Sequence, residues 1–197
     1  MKKHILTLAL TTLLSTAASA EIVKITLTDG SSQTYKVEEV QEITFEEESM
    51  ASEYAGSYKG GNSVVVGGMF TYSADGVTYV ITANGDGTVN LQVPEYKLTG
   101  TVMGDLTLGA YTISNIAFDE TNNGFYRDYA SADGTDGLKM HFTAVQNGNT
   151  TMNSDYEFKN PSNVLIEKTA DGLKITNSFI MGSMPFPIVA TFTQSVE

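Results

Sequence analysis

Chemistry needs a nucleophile, a proton carrier or a ligand set, and beyond residue 20 this sequence supplies few of them: one His (His141), one Arg (Arg127), no Cys and no Trp. A Ser-His-Asp system would have to run through His141, which stands between Met140 and Phe142 and shares its strand parity with Lys139 and Thr143. If the apolar parity faces inward, that imidazole faces water. A single imidazole cannot assemble the donor set of a His- or Cys-based zinc site. Asn84-Gly85-Asp86-Gly87 has the look of the middle of a calcium loop, but the bidentate Glu that should follow is missing, so a plain turn is the reading. The 23 acids could in number furnish a glycosidase-type pair. Most of them, however, fall in turns or in the run Glu46-Glu47-Glu48, where solvation accounts for them, and no constellation of named roles can be assembled. The sequence reads as non-enzymatic, with no metal and no cofactor.

Binding chemistry is easier to place. Arg127 lies in Phe125-Tyr126-Arg127-Asp128-Tyr129, where a guanidinium among tyrosine rings can hold a ligand carboxylate at a barrel mouth. The structural alternative pairs it with Asp128 or Asp119 and stacks it on a Tyr to close one barrel end. With inward aromatic side chains added, the candidate ligand contacts are Tyr58, Phe70, Tyr79, Tyr111, Arg127 and Tyr129. Met69, Met103, Met140, Met152, Met181 and Met184 can line an adaptable pocket or fill gaps in a core. Met184-Pro185-Phe186-Pro187 cannot lie in a central strand, since proline lacks the ladder donor. It is either an exposed tip or a plug folded into one end.

The elements that must position these residues are β-strands. Nine Asp-Gly or Asn-Gly pairs, at Asp29, Asp75, Asn84, Asp86, Asn123, Asp133, Asp136, Asn147 and Asp171, punctuate runs in which apolar and polar residues alternate. Such dipeptides reverse a hairpin because Asn or Asp tolerates positive φ and Gly adopts it freely. Val77, Tyr79 and Ile81; Val89, Leu91 and Val93; Leu138, Met140, Phe142 and Ala144; and Leu173, Ile175 and Phe179 each form one apolar face. Further strands are expected at 54–58, 64–72, 96–102, 106–113, 125–129, 164–167 and 188–192, giving nine or ten at the spacing of a sandwich or barrel. Short connections favour an up-and-down meander that closes on itself. Between Leu106 and Ile113 the apolar parity changes near Ala110, beside Gly104 and Gly109, which marks a bulge or a corner. Helices should be limited to a turn or two.

The chain opens with a secretory pattern: Lys2, Lys3 and His4, an apolar core from Ile5 to Leu14, and the small-x-small site Ala18-Ser19-Ala20. That core is shorter than the roughly 20 residues a membrane span needs. The expected organisation is a signal segment (1–20), a β-hairpin segment (21–48) with a third short strand near Ile43, a linker (49–53) with a frayed helical turn as its alternative, and a barrel (54–197). Without a Cys there is no site for lipid attachment, so the product is expected in the periplasm or outside the cell and not as a lipoprotein. Past residue 20, nine Lys and Arg face 23 acids, a formal charge of −14. That balance repels nucleic-acid backbones and anionic lipid.

Tyr54-Ala55-Gly56-Ser57-Tyr58, Val66 to Tyr72, Gly100 to Leu106 and Met184 to Ala190 together resemble the calycin-like (lipocalin-like) exported proteins of Bacteroides and relatives. The piece from Leu27 to Phe45 is similar to a short β segment that precedes domains in secreted proteins of that group. Gly56-Ser57-Tyr58 stands where lipocalins carry Gly-x-Trp, with Tyr in place of Trp. The resemblance implies an all-β, antiparallel up-and-down barrel after a small N-terminal hairpin, and small-molecule binding in its interior. The expected function is therefore an exported barrel that takes up a small, largely apolar ligand. The competing expectation is a solid barrel that contacts an envelope protein.

Overall fold

Alternation at period two is what the chain obeys almost throughout, and antiparallel sheet is the result. The computed structural model describes residues 22–27, 29–40, 49–130 and 137–195. These belong to two compact units that divide between residues 47 and 48.

The first unit is a hairpin of β1 (Ile22–Thr26) and β2 (Ser32–Lys36), followed by a single 3-10 turn at Val37–Glu39. Ile22 pairs with Lys36 and Thr26 with Ser32. The turn is tied by Asp29, whose carboxylate accepts from the Ser31 amide at 2.8 Å and the Ser31 hydroxyl at 2.7 Å. None of its strand residues is buried. The strand expected near Ile43 and the signal segment lie outside the described residues.

In the second unit the stretch expected as a linker carries α1 (Met50–Tyr54), capped by Ser49, whose side chain accepts from the Ser52 amide at 3.2 Å. The helical alternative forms because Ala51 and Tyr54 are buried. Eleven strands follow: β3 (Gly56–Val66), β4 (Phe70–Ala83), β5 (Val89–Val93), β6 (Tyr96–Thr101), β7 (Gly104–Leu108), β8 (Tyr111–Asp119), β9 (Gly124–Asp128), β10 (Lys139–Gln146), β11 (Asn149–Thr169), β12 (Gly172–Met181) and β13 (Ile188–Gln194).

Their pairing is that of an eight-stranded up-and-down barrel in which three strands are broken at mid-height. β5 and β6 are separated by Pro94-Glu95, β7 and β8 by Gly109-Ala110, and β9 and β10 by residues 129–138. In the lower half the ring β12-β13-β3-β4-β5-β8-β9-β11 closes on itself, because β11 also pairs with β12. In the upper half β6, β7 and β10 carry the sheet on to the N-terminal part of β11. β6 is an edge there, bridged to β4 where the Tyr72 hydroxyl accepts from the Val102 amide at 3.4 Å.

The parity change near Ala110 is thus the step from the upper to the lower half. Proline, which has no ladder donor, makes the neighbouring break. Gly109 is required at its own break by close approach: a Cβ there would stand 2.8 Å from the His141 carbonyl oxygen, which instead accepts from the Gly109 amide at 2.7 Å.

The turn pairs divide by role. Asn147-Gly148, with φ of 52° and 78°, makes the two-residue reversal between β10 and β11. Asp75-Gly76 makes no hairpin; it is the bulge in β4 opposite Gly60 and Gly61. The pairs at Asp133 and Asp136 involve residues outside those described. The stretch 64–72, expected as one strand, is instead a hairpin that turns at 67–69 and carries no such pair.

The interior is apolar and the wall polar. Val64, Ile81, Leu91, Ile113, Phe125, Val164, Ile166, Ile175, Phe179 and Phe192 are all at 1% exposure or less. Of the six methionines noted above, Met140 and Met181 are buried as core, Met152 and Met184 pack against it, and Met69 and Met103 are exposed.

Candidate functional site

Where the broken strands step from one half to the other, large side chains from most strands meet in one belt across the barrel. β4 contributes Tyr79, the start of β6 Tyr96, the start of β8 Tyr111, and the residue after β9 Tyr129; all four are buried. β3 adds Asn62 and β12 adds Asn177, at 2% and 1% exposure.

A buried amide must find partners, and Asn177 finds two. Its Oδ1 accepts from the Tyr129 hydroxyl at 2.8 Å, and its Nδ2 donates to the Tyr111 hydroxyl at 2.6 Å. Asn62 finds one: its Oδ1 accepts from the Tyr79 hydroxyl at 3.2 Å, while its Nδ2 is buried with no partner in the protein. Turning the amide over would only transfer the unmet bond to the oxygen.

Burial pushes the Tyr79 phenol up to about 12, against the weaker opposing pull of Asn62. Burial likewise raises Tyr129, and lifts Tyr96 and Tyr111 well above the ordinary phenol value. The belt is therefore neutral, aromatic and rich in hydroxyls. Rings support it from the remaining strands: Tyr79 lies 4.7 Å from Phe192, Tyr111 4.8 Å and Tyr129 5.4 Å from Phe158, centroid to centroid.

Of the six residues singled out from sequence, the belt unites Tyr79, Tyr111 and Tyr129. Tyr58 is half-buried elsewhere and donates to the Tyr54 carbonyl at 2.9 Å. Phe70 stands exposed at the start of β4. Arg127 pairs with Val164 in the ladder, and its guanidinium donates to the Ser114 carbonyl oxygen. At the lower end Lys168 also seats its ammonium on an aromatic ring, 4.8 Å from the centroid of Tyr54.

Tyr96, Asn62 and Asn177 escaped the sequence reading. Asn177 left a signal: it occupies the inward parity slot between Ile175 and Phe179, where a polar residue needs a reason. Asn62 left a weaker one, since the glycines before it blur the alternation of β3.

The groups that could do chemistry lie apart from the belt. His141 is on the outer wall, where Nδ1 is 2.7 Å from Asp155 Oδ1 and Nε2 is 2.9 Å from Asn153 Oδ1. The hydrogen bond to the Asp155 carboxylate raises the imidazole pKa above its ordinary value. Asp86 and Asp119 are held below the usual carboxylate range by turn hydrogen bonds, Asp86 from Thr88 and Asp119 from Thr121 and Asn122. The Asn84 to Thr88 segment is thus a turn whose carboxylate is engaged by the turn itself. Among the described residues no three His, Asp or Glu side chains are grouped to hold a metal ion.

Among the described residues a cleft and a groove open on the surface of this unit. A cleft of about 530 Å³ at the lower end is lined by residues including Ser57, Lys59, Asp171, Gln194 and Ser195. A groove of about 340 Å³ lies at the strand breaks, between Thr78, Val80, Pro94, Ala110 and Tyr111. Tyr111 is common to groove and belt, and its hydroxyl serves the belt.

Comparison with known proteins bears on the same segment. The profile of the calycin-like beta-barrel domain matches residues 54–194. A crystal structure of a candidate outer membrane protein from Bacteroides fragilis is similar at 23% identity and a TM-score of 0.47, over 74% of this chain and 52% of that one. The chain thus spans about half the length of that protein. Among curated proteins none matches.

Proposed function

The chain belongs to the calycin-like β-barrel domain family, and from that premise we propose that it is an exported, non-enzymatic binding module whose barrel holds a small, largely apolar ligand at the tyrosine belt. The observation that carries this reading is the Asn62 amide, buried at mid-barrel with one hydrogen-bonding position unmet. A buried unpaired donor costs on the order of 1–3 kcal/mol, and a ligand acceptor beside it would recover that cost on binding. Its surroundings, Tyr79 and Phe192, are flat and uncharged, so they favour an apolar body carrying one acceptor over a charged molecule. Way in is offered by the β4–β6 seam, where a side chain bridges the strands in place of a ladder bond. The reading is non-enzymatic because His141, the one imidazole beyond residue 20, is bonded to Asp155 and Asn153 on the outer wall. Export rests on the Lys2 to Ala20 pattern.

A crystal structure of the protein purified from its own host tests the site. We expect density larger than one water beside Asn62, with an acceptor about 3 Å from Nδ2. A belt holding a single ordered water there would assign Asn62 to structure and remove the basis of the reading.

A further inference from the structure

The two ends of the barrel differ in a way that ligand binding does not require. In an up-and-down barrel the turns alternate between ends, so the β3–β4, β6–β7, β10–β11 and β12–β13 connections share the upper one. The barrel unit has seven exposed large hydrophobic residues among those described, and six of them are at that end. Met69 and Phe70 belong to the first turn, Val102 and Met103 to the second, Val145 borders the third, and Phe186 projects from the fourth. Met69 is 74% and Val102 65% exposed, values that interior packing does not explain. The connections themselves, 67–69, 102–103, 147–148 and 182–187, contain no charged residue. The lower turns contain Asp86, Glu120 and Asp171, with Asp119 beside them.

We propose that the upper end is a docking surface for an uncharged, zwitterionic lipid bilayer, into whose interface the four turn tips insert. Exposed apolar residues gathered on one end mark an interaction site. The chemistry selects lipid in three respects. The turn tips themselves carry no charge, the exposed Asp105 standing two residues from Met103 and the Glu157–Lys139 pair beside Gly182, and they occur on a strongly acidic chain whose opposite turns hold acids within the turn itself. Anionic membranes would repel such a molecule, whereas a neutral interface would not. The apolar side chains also stand on four separate tips, each of which a protein partner would have to meet with its own socket, while a fluid interface accepts them without one. Depth is limited by the wall just below, where Thr71, Ser73, Lys139, His141, Asn153 and Asp155 are exposed. A barrel that crosses a membrane carries an apolar outer band and a polar interior, the reverse of this arrangement. The molecule therefore docks at the bilayer and does not span it. This surface is independent of the tyrosine belt.

Flotation of the purified chain with phosphatidylcholine vesicles tests the proposal. The wild type should float, and raising salt from about 0.1 to 1 M should not release it. Met69→Ser with Phe186→Ser should lower the bound fraction about tenfold or more, and Val102→Asp should act alike, each at an unchanged melting temperature. Asp171→Ser, at the other end, should float as the wild type does. The proposal is overturned if the wild type stays with the unbound fraction, if the tip variants float undiminished, or if anionic lipid is needed. It is equally overturned if the wild type sediments as a dimer that the tip variants dissociate, since the surface would then belong to a second copy.

Discussion

Tyr129 and Asn177, 48 positions apart in the chain, meet inside the barrel at 2.8 Å, and the same amide carries Tyr111 on its other side at 2.6 Å. One side chain of β12 thereby ties β8 to the end of β9 across the interior. Removing it takes the amide partner from two hydroxyls that are left with only each other, and a polar group left unpaired in a core costs about 1–3 kcal/mol. Asn177→Leu should destabilise the protein by about 2–4 kcal/mol in urea denaturation. Adding Tyr129→Phe and Tyr111→Phe to that variant should restore most of the loss, because the orphaned groups leave with it.

Alkaline titration reads the belt as a whole. The folded Tyr79 phenol sits at about 12, and Tyr96, Tyr111 and Tyr129 are also raised, against about 10 in an unfolded chain. A raised folded value means the unfolded state loses its proton first as pH climbs. The stabilisation is complete below pH 10 and is lost as pH rises towards the folded values. Tyrosinate absorbance should therefore show one set of tyrosines ionising without unfolding and a second set appearing only together with the loss of sheet signal in circular dichroism.

His141 titrates on the outer wall. Its hydrogen bond to Asp155 raises its pKa, so the stabilisation it brings is fully present below the unfolded value of about 6.5 and fades as pH rises through the folded one. An NMR titration of the imidazole should give a midpoint above 6.5 in the wild type and one closer to 6.5 in Asp155→Asn.

The strand architecture was legible because parity was. The runs at Val77, Val89, Leu138 and Leu173 became β4, β5, β10 and β12, and the parity change near Ala110 marked a real break. What stayed hidden was pairing at a distance. The first half of β11, Asn149 to Glu157, is mostly exposed, so its alternation is faint although it pairs along β10. The hairpin at 67–69 turns on Gly67-Gly68-Met69, which lacks the Asn or Asp that marks the turns at Asp86, Asn123, Asn147 and Asp171. The site was half legible for the same reason. Tyrosines at inward parity announced Tyr79 and Tyr111, but their partners are amides, and an Asn in an apolar slot becomes informative only once the strand across the barrel is known.

Gly104 tests the upper half of the barrel. It holds φ of +92°, and a Cβ there would lie 2.2 Å from the Val145 carbonyl oxygen, a backbone atom that cannot move aside. Gly104→Ala should cost about 2 kcal/mol or more. Gly85→Ala, in open space, should stay within about 0.5 kcal/mol of wild type. Paired thermal melts of the two variants suffice.

Native mass spectrometry of the protein taken from its own host measures the central claim, occupancy at Asn62. The account predicts a mass above that of the polypeptide in the native spectrum, absent under denaturing conditions and depleted in Asn62→Leu, a variant of nearly the same shape that lacks the unmet donor. A native mass equal to the polypeptide alone, or an excess that survives unchanged in Asn62→Leu, would contradict it.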